Sequence, residues 1–191
     1  MSERETRFGH PIGEDPDTGE RFVYFWQKHS LFSQWHRLPF THRGEVFVTA
    51  EQWMMAGKAR VFGDEVTRAK ILATEDPAEQ KSLGRKVSPF DSAVWEARAF
   101  GVVYLGNALK FRAGTPQRER LVETAGFTLV EASPRDTIWG IGLAVENDLA
   151  LRRSTWLGEN RLGAVLTALR DDILSGAVDA KVEGFFASTG A

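Results

Sequence analysis

The sequence contains no cysteine, so disulfides, thiolate metal sites, iron–sulfur clusters and cysteine nucleophiles are all excluded. This absence suits a reducing compartment, and we expect the protein to be cytoplasmic. The sequence also lacks an apolar stretch near the ~18 residues that a membrane span requires. Residues 1–15 lack the apolar core of a signal peptide, and we therefore expect no contact with a membrane.

Neither sign of charge dominates the sequence. The 24 Lys and Arg residues are balanced by 26 Asp and Glu residues, which gives a net charge of −2 at pH 7. No global field draws such a chain to nucleic acid or to a membrane, so any contact with a polyanion must be local. Of the 191 residues, 42% are hydrophobic, which is enough to bury the core of one domain.

Several motifs that would point to a cofactor or a metal are missing. The sequence has no phosphate-binding loop, no dinucleotide fingerprint and no nucleophile elbow of the hydrolases. Its four histidines, His10, His29, His36 and His42, lack the spacing of a metal site, and no cysteine pair accompanies them. We therefore expect no metal, no cofactor and no obligate protein partner.

Composition along the chain predicts one domain with two loose ends. Residues 1–20 are polar and rich in turn formers, which predicts a flexible N-terminal arm. Residues 21–185 form the expected domain, and residues 186–191 are expected to be a frayed tail.

Helix start signals dominate the interior of the chain. Residues Thr49-Ala50-Glu51-Gln52 form a capping box, and Pro follows the expected N-cap in other cases. The predicted helices begin at Thr49, at Asp64, at Asp76-Pro77 with a stop at Gly84, at Ser88-Pro89 for the longest one, at Thr115-Pro116, and at Glu159 for a last helix to Leu174.

Strand signals are fewer and shorter. They cover residues 21–26, 46–48 and 127–131, where β-branched and aromatic residues cluster. The sequence therefore predicts an α+β fold, predominantly helical with a small β-sheet, without the regular alternation of a doubly wound sheet.

Two ionisable residues share one face of the first predicted helix. Glu51 lies in its first turn and Lys58 seven residues later, with Met54 and Met55 between them. At 1.5 Å per residue the two positions lie ~10.5 Å apart along the axis, so they are not an ordinary ion pair. A small molecule could bridge them; an exposed helix with unrelated charges is the alternative.

Two glycine-containing segments follow in the second half of the chain. Residues 133–142 come after a predicted strand and carry Asp136 and Trp139, and loops on a rigid scaffold often hold functional sites. Plain turn and core residues are the alternative. Residues 158–163 open the last helix, where free N–H groups with Asn160 and Arg161 would suit a phosphate. An ordinary capped helix explains this segment nearly as well.

Taken in order, these fragments resemble the NADAR (YbiA-like) family, whose name links it to NAD and ADP-ribose. The resemblance covers about residues 24–170, and the ordered set carries it rather than any single piece. Gln34 departs from the family pattern, in which an Asn is expected. The matching pieces are Phe32-Ser33-Gln34-Trp35, Thr49-Ala50-Glu51 through Lys58-Ala59, Gly84-Arg85, Trp95-Glu96, Leu109-Lys110-Phe111, residues 136–142, Asn160-Arg161-Leu162-Gly163 and Arg170.

The resemblance implies a YbiA-like fold and an N-glycosidase that acts on phosphorylated ribosides. One activity of the family cleaves amino-pyrimidine intermediates of riboflavin synthesis, and another removes ADP-ribose from modified guanine in nucleic acid. The expected substrate is therefore a small phosphorylated riboside or an ADP-ribosylated nucleic acid. The near-neutral charge favours a small metabolite or a short single strand over long duplex DNA.

The resemblance places the functional Glu, Lys, Trp and Asp of the family on Glu51, Lys58, Trp95 and Asp136. Glu51 would protonate the leaving base or activate water, and Asp136 would orient the sugar hydroxyls. Lys58 would form a Schiff base with the ring-opened sugar, with direct attack by water as the open alternative. The indoles would stack on the base, and arginines, Arg135 among them, would bind phosphate. The expected substrate contacts are Ser33, Trp35, Arg85, Trp95, Trp139, Gly140, Asn160 and Arg161.

Two other classes of function remain open at this point. A non-catalytic module that binds NAD or ADP-ribose would use the same residues without turnover. A purely structural or interaction domain would explain the core of the protein, but not the combination of Glu51, Lys58 and Asp136.

Overall fold

Capped helices and short strands alternate irregularly along the chain. The computed structural model describes residues 4–189. Within them the strands are β1 (Thr6–Arg7), β2 (His10–Glu14), β3 (Arg21–Phe25), β4 (Phe40–His42), β5 (Glu45–Phe47) and β6 (Thr128–Glu131). The α-helices are α1 (Ala50–Val61), α2 (Glu65–Ala73), α3 (Pro77–Gly84), α4 (Ser92–Lys110), α5 (Pro116–Val122), α6 (Arg161–Ser175) and α7 (Val178–Thr189). The predicted α+β class, mainly helical with little sheet, is confirmed.

The described chain divides into two units. The sheet unit comprises residues 4–33 and 113–175, and the helical unit comprises residues 34–112 and 176–189. Each unit is therefore assembled from two separate stretches of the chain. The domain limits of 21 and 185 expected from the sequence stay a prediction.

The sheet unit is built around a four-stranded sheet in the order β1-β2-β3-β6. The first three strands are antiparallel, whereas β3 and β6 are parallel, with Val23 opposite Leu129. Both residues are fully buried, as expected where a sheet is covered on its faces. Helix α6 packs against β6 and thereby supports the loop that leaves this strand.

The helical unit surrounds α1 with other elements. Helices α2, α3 and α4 all contact α1, and the β4–β5 hairpin lies against its N-terminal half. Trp53 of α1 packs against the Phe40 and Phe47 rings of that hairpin. Residues 50–56 are buried without interruption, so α1 is a central helix and not a surface helix.

Four of the six predicted helix starts are confirmed, and the last helix begins two residues later than the expected Glu159, at Arg161. Thr49, Asp64, Asp76 and Thr115 each cap the helix expected from the sequence. The prediction that Ser88-Pro89 opens the longest helix is wrong. Asp91 caps α4 by accepting the Val94 N–H at 3.0 Å, and the cis Ser88–Pro89 bond lies outside the helix.

The first 20 residues contain strands where the sequence predicted a loose arm. β1 and β2 form a hairpin whose turn residues, Phe8 and Gly9, both have positive φ. β2 also pairs with β3, and the ring of Tyr24 lies closely against Gly13. The Pro and Gly residues that suggested a loop are thus hairpin and close-contact positions.

The C-terminal segment carries a helix that the sequence did not predict. Gly176, with φ +78°, separates α6 from α7. The ring of Phe185 lies 5.0 Å from that of Tyr104, and Phe186 stacks on His42 at 4.8 Å. Residues 186–189 of the expected frayed tail belong to α7, and residues 190–191 lie outside the described residues.

Candidate active site

A buried glutamine holds the N-terminal half of α1. Thr49 Oγ1 accepts the backbone N–H of Gln52 at 3.0 Å, as the capping box predicts. In a capping box the side chain of Gln52 would accept the backbone N–H of Thr49. Here its Oε1 accepts the Val48 N–H instead, at 2.8 Å. Its Nε2 donates to the carbonyls of Ile71 and Thr74, each at 3.0 Å. One amide therefore ties the start of α1 to the end of α2.

Close packing fixes the position of α1 further. A Cβ on Gly106 of α4 would overlap the Trp53 ring, whose Nε1 donates to the Val102 carbonyl at 2.8 Å. A Cβ on Gly84 would likewise overlap the Met55 side chain. Gly84 is the last residue of α3, as expected for its stop, and its lack of a side chain makes room for Met55 of α1.

Glu51 is a buried carboxylate in the first turn of α1. Its side chain is 5% exposed, and its backbone N–H donates to the Gln34 carbonyl at 3.0 Å. Met54 and Met55, which follow it on the same side of the helix, are buried as well. Carboxylates are rarely buried without a compensating role, and this position rules out the exposed helix that was the alternative.

Lys58 lies beside two aromatic rings. Its Nζ is 4.2 Å from the ring centroid of Phe90 and 5.9 Å from that of Trp95. Burial lowers the pKa of Lys58 below that of an ordinary lysine, because a covered amine disfavours the charged form. A lowered pKa raises the neutral fraction near neutral pH, and the neutral amine is the form that attacks carbonyl carbon.

The segment between α3 and α4 supplies one of these rings. Phe90, which the sequence reasoning missed, is 49% exposed and contacts the Phe62 ring at 5.1 Å. Two carboxylates fix the segment: Asp64 Oδ2 accepts the Ser88 N–H at 3.0 Å, and Asp91 caps α4. In the sequence, this segment was marked only by one aromatic residue just before a helix. Such residues are also common in ordinary loops.

Lys110 is a second lysine with an altered titration in the helical unit. It lies at the end of α4, is 3% exposed, and places its Nζ 5.1 Å from the Phe111 ring. Burial lowers the pKa of Lys110 to about 7. Its sequence signal was a lysine set between Leu109 and Phe111 in a helix, and no role was predicted for it.

In the sheet unit, Asp136 organises the loop that follows β6. Its Oδ1 accepts the backbone N–H groups of Ile138 and Trp139, at 3.1 and 2.8 Å. Its carbonyl accepts the Gly142 N–H at 3.1 Å. One carboxylate oxygen is therefore committed to the shape of the loop.

Asn160 supports β6 rather than offering a free amide. Its Nδ2 donates to the Leu129 carbonyl and its Oδ1 accepts the Glu131 N–H, both at 2.9 Å. The residue is 3% exposed and has φ +55°. Both ends of the carboxamide thus bind the backbone of one strand, so Asn160 supports β6, and its expected contact with substrate stays a prediction.

The start of α6 is occupied by the neighbouring loop. The N–H of Arg161 donates to the Ile138 carbonyl at 3.3 Å, and that of Leu162 to the Trp139 carbonyl at 3.1 Å. The Asn160 N–H donates to Gly140. The free N–H groups expected to seat a phosphate are therefore paired within the protein, which favours the capped-helix alternative.

Replacing Asn160 by Ala is expected to lower the free energy of unfolding by roughly 2–4 kcal/mol, because two backbone groups lose their partners and φ stays positive. Urea unfolding measures the change, and Asn147→Ala, which loses one exposed hydrogen bond from the Leu149 N–H, is the comparison expected to shift the midpoint less. Asn160→Gly relieves the backbone but should remain destabilised, since both hydrogen bonds are still lost. An unfolding midpoint unchanged in Asn160→Ala would contradict the supporting role.

The remaining expected contacts are distributed over both units. In the helical unit Trp35 is partly buried, Trp95 is 9% exposed, and Arg85 is exposed directly after α3. In the sheet unit Ser33 is buried, Gly140 is buried, Trp139 is partly buried and Arg135 is exposed. Arg161 Nε donates to Glu159 at 2.7 Å.

The described residues contain neither a candidate metal cluster nor a candidate membrane-spanning helix. Among residues 4–189, no cluster of three or more His, Asp or Glu side chains is placed to hold a metal ion. In the same part of the chain, no helix has both the length and the apolar character needed to cross a membrane. The absence of a metal from the reaction stays a prediction.

Comparison with known proteins identifies relatives over most of the chain. The model of the NADAR domain matches residues 24–174. N-glycosidase R617 of Acanthamoeba polyphaga mimivirus is 42% identical over 147 residues, which are 74% of this chain and 86% of that protein. The chloroplastic riboflavin biosynthesis protein PYRR of Zea mays is 35% identical over 118 residues, which are 60% of this chain and 17% of that protein.

A solved structure shares the fold. The NMR structure of the E. coli protein YbiA superposes with a TM-score of 0.67 at 26% sequence identity, covering 94% of this chain and 96% of that one. The resemblance noted from ordered sequence fragments is therefore confirmed over most of the chain.

Proposed function

The chain belongs to the NADAR domain family, and we propose that it hydrolyses the bond between C1′ of a phosphorylated ribose and a nitrogen of an amino-substituted heterocycle. Its activity is that of an N-glycosidase, a hydrolase of N-glycosyl bonds, as the name of its viral relative states for that protein. The observation that carries the proposal is a buried carboxylate, Glu51, on the same helix as Lys58, whose pKa is lowered.

The reaction adds water across the bond. As the C1′–N bond breaks, positive charge develops on the sugar and negative charge on the base. Glu51 protonates the leaving nitrogen and, once ionised, accepts a proton from the attacking water. The base departs with the electrons of the broken bond, and the sugar retains the oxygen of water on C1′.

Lys58 is proposed to divide this reaction into two steps. Its neutral Nζ forms a bond to C1′ while the base leaves with a proton from Glu51, which gives a closed-ring ribosylamine. The nitrogen then loses a proton, and the C1′–O4′ bond breaks as O4′ takes up a proton, which leaves an imine to the open-chain sugar. Water then hydrolyses the imine and returns the free amine and the sugar aldehyde. Trp95, 5.9 Å from Nζ, is proposed to wall the site on the side of the base.

Further contacts are proposed from the family resemblance and the exposure of the residues. Asp136 keeps the proposed role of orienting sugar hydroxyls, and Trp139 that of a base contact. Arg85 is exposed and suits a phosphate through its planar guanidinium. Ser33, Trp35, Gly140 and Arg161 also remain proposed substrate contacts.

Two substrate classes share the proposed chemistry. Amino-pyrimidine ribosyl phosphates are supported by the similarity to a riboflavin biosynthesis protein. In ADP-ribosylated guanine of nucleic acid, an amino-substituted heterocycle is likewise bonded to a phosphorylated ribose. A binding module without turnover is not favoured, because the viral relative is an N-glycosidase by name. The cytoplasmic location and the lack of an obligate protein partner stay predictions.

A side-by-side assay of both substrate classes tests this function. Purified protein is expected to release free base from one or both, and chromatography of the products measures the release. A parallel arm treated with EDTA and desalted is expected to keep its activity, since no metal is predicted. Ligand-dependent melting without any release of base would contradict the proposal and favour a binding module.

A further inference from the structure

An aromatic residue outside the expected site contacts the proposed nucleophile. Phe90 is half-exposed, yet its ring centroid is the nearer of the two to Lys58 Nζ, at 4.2 Å against 5.9 Å for Trp95. Single exposed aromatic residues are common and need no explanation by themselves. A lysine amine placed against the ring makes this one different.

The backbone around Phe90 is fixed although the side chain is exposed. Ser88, two residues before it, donates its N–H to Asp64, and Asp91, directly after it, caps α4. Val87 is buried at 5% exposure, and Phe62 contacts the Phe90 ring. The ring is thus anchored on both sides along the chain and from α1, whose last residue precedes Phe62.

We propose that Phe90 is a positioning residue for Lys58: its ring covers the amine from water and holds it beside Trp95 for attack on the sugar. This role rests on the proposed function of Lys58 as nucleophile. Two physical effects of the ring oppose each other. Covering the amine disfavours the ammonium form, whereas the negative face of the ring attracts it. Of the two effects on the pKa of Lys58, the covering of the amine is the larger.

The first experiment needs no substrate. Lys58 is acylated competitively over a range of pH, and mass spectrometry of its peptide yields the pKa of the amine. In Phe90→Ala the pKa of Lys58 is expected to rise toward the ordinary lysine value, because water reaches the amine. In Phe90→Tyr, which keeps the ring, it is expected to stay where it is in the wild type.

Phe100→Ala is the matched control, since Phe100 is 42% exposed in the same unit and contacts Tyr104 and Phe185 instead of Lys58. It is expected to leave the titration of Lys58 unchanged. An unchanged or lowered pKa of Lys58 in Phe90→Ala overturns the proposal, the second case because attraction by the ring would then dominate.

The second experiment follows the adduct that borohydride traps on Lys58 during turnover. At pH 7 Phe90→Ala is expected to form it roughly three- to tenfold more slowly than the wild type, with recovery at higher pH. A slow rate that does not recover with pH overturns the positioning role. A wild-type protein that forms no adduct refutes Lys58 as nucleophile, and the acylation experiment still decides whether Phe90 covers the amine.

Discussion

Borohydride added during turnover is expected to leave an adduct of sugar-phosphate mass on Lys58. An imine between Nζ and the sugar is reduced to a stable amine, so peptide mapping by mass spectrometry locates the attachment. The amine must be neutral to attack, and burial lowers the pKa of Lys58, which supplies more of the neutral form near pH 7. The rate of adduct formation should therefore rise with pH through that lowered pKa.

Substitution of Lys58 separates its chemistry from its charge. Lys58→Ala and Lys58→Arg are both expected to give no adduct and no turnover, because neither provides an amine that forms an imine. Lys70→Ala, which alters an exposed lysine on α2, serves as the control and should retain both. Near-full activity in Lys58→Arg would instead make Lys58 an electrostatic partner of the phosphate, and direct attack by water would be the remaining mechanism.

Lys110 provides a second amine that could form an adduct in this experiment. Its pKa is lowered to about 7, so reactivity alone does not distinguish it from Lys58. Its side chain is only 3% exposed, however, whereas that of Lys58 is partly buried beside two rings. We expect the adduct on the Lys58 peptide, and an adduct confined to the Lys110 peptide would contradict the assignment.

Local physical chemistry explains which elements could be predicted. The side chains of Thr49, Asp64 and Thr115 each accept an N–H group three residues away, so a short window of sequence contains the whole interaction. Strands β3 and β6 were likewise visible as runs of β-branched and aromatic residues. The spacing of Glu51 and Lys58 needed only the period of a helix.

Long-range contacts explain what the sequence concealed. Helix α7 depends on Phe185 and Phe186 packing against the rings of Tyr104 and His42, which lie 81 and 144 residues away in sequence (185 − 104 and 186 − 42). The β1–β2 hairpin looked like a loop in the sequence because of its Gly and Pro residues. The pairing of β2 with β3, which a short window of sequence does not show, holds these residues in a strand. Tertiary contacts of this kind override local propensity.

The same distinction applies inside the candidate site. Asn160 resembled a phosphate ligand at a helix start, but its amide binds backbone groups 29 and 31 residues away. Phe90 was missed because its contact with Lys58 spans 32 positions of sequence, the difference between 90 and 58. The types of residue at the site could therefore be predicted from the sequence. Which of them support the backbone and which are available for the reaction could be seen only in the three-dimensional structure.

Glu51→Gln is expected to reduce turnover by ~10²–10⁴-fold, the usual contribution of general acid–base catalysis, because an amide of the same size neither gives nor takes the proton. The melting temperature should be nearly unchanged, because the amide has the size of the carboxyl group that it replaces at a residue only 5% exposed. Release of base under single-turnover conditions and thermal melting measure the two effects. Glu65→Gln is the control, because Glu65 occupies the first turn of α2 but is exposed.

Borohydride trapping in Glu51→Gln then divides the two roles of the carboxylate. If Glu51 protonates the departing base, the variant forms no adduct on Lys58, because the C1′–N bond does not break. If Glu51 only activates water, the imine forms and persists, so the trapped adduct accumulates above the wild-type amount. A loss of turnover below tenfold would contradict both roles, and the burial of Glu51 within α1 would then reflect structure alone.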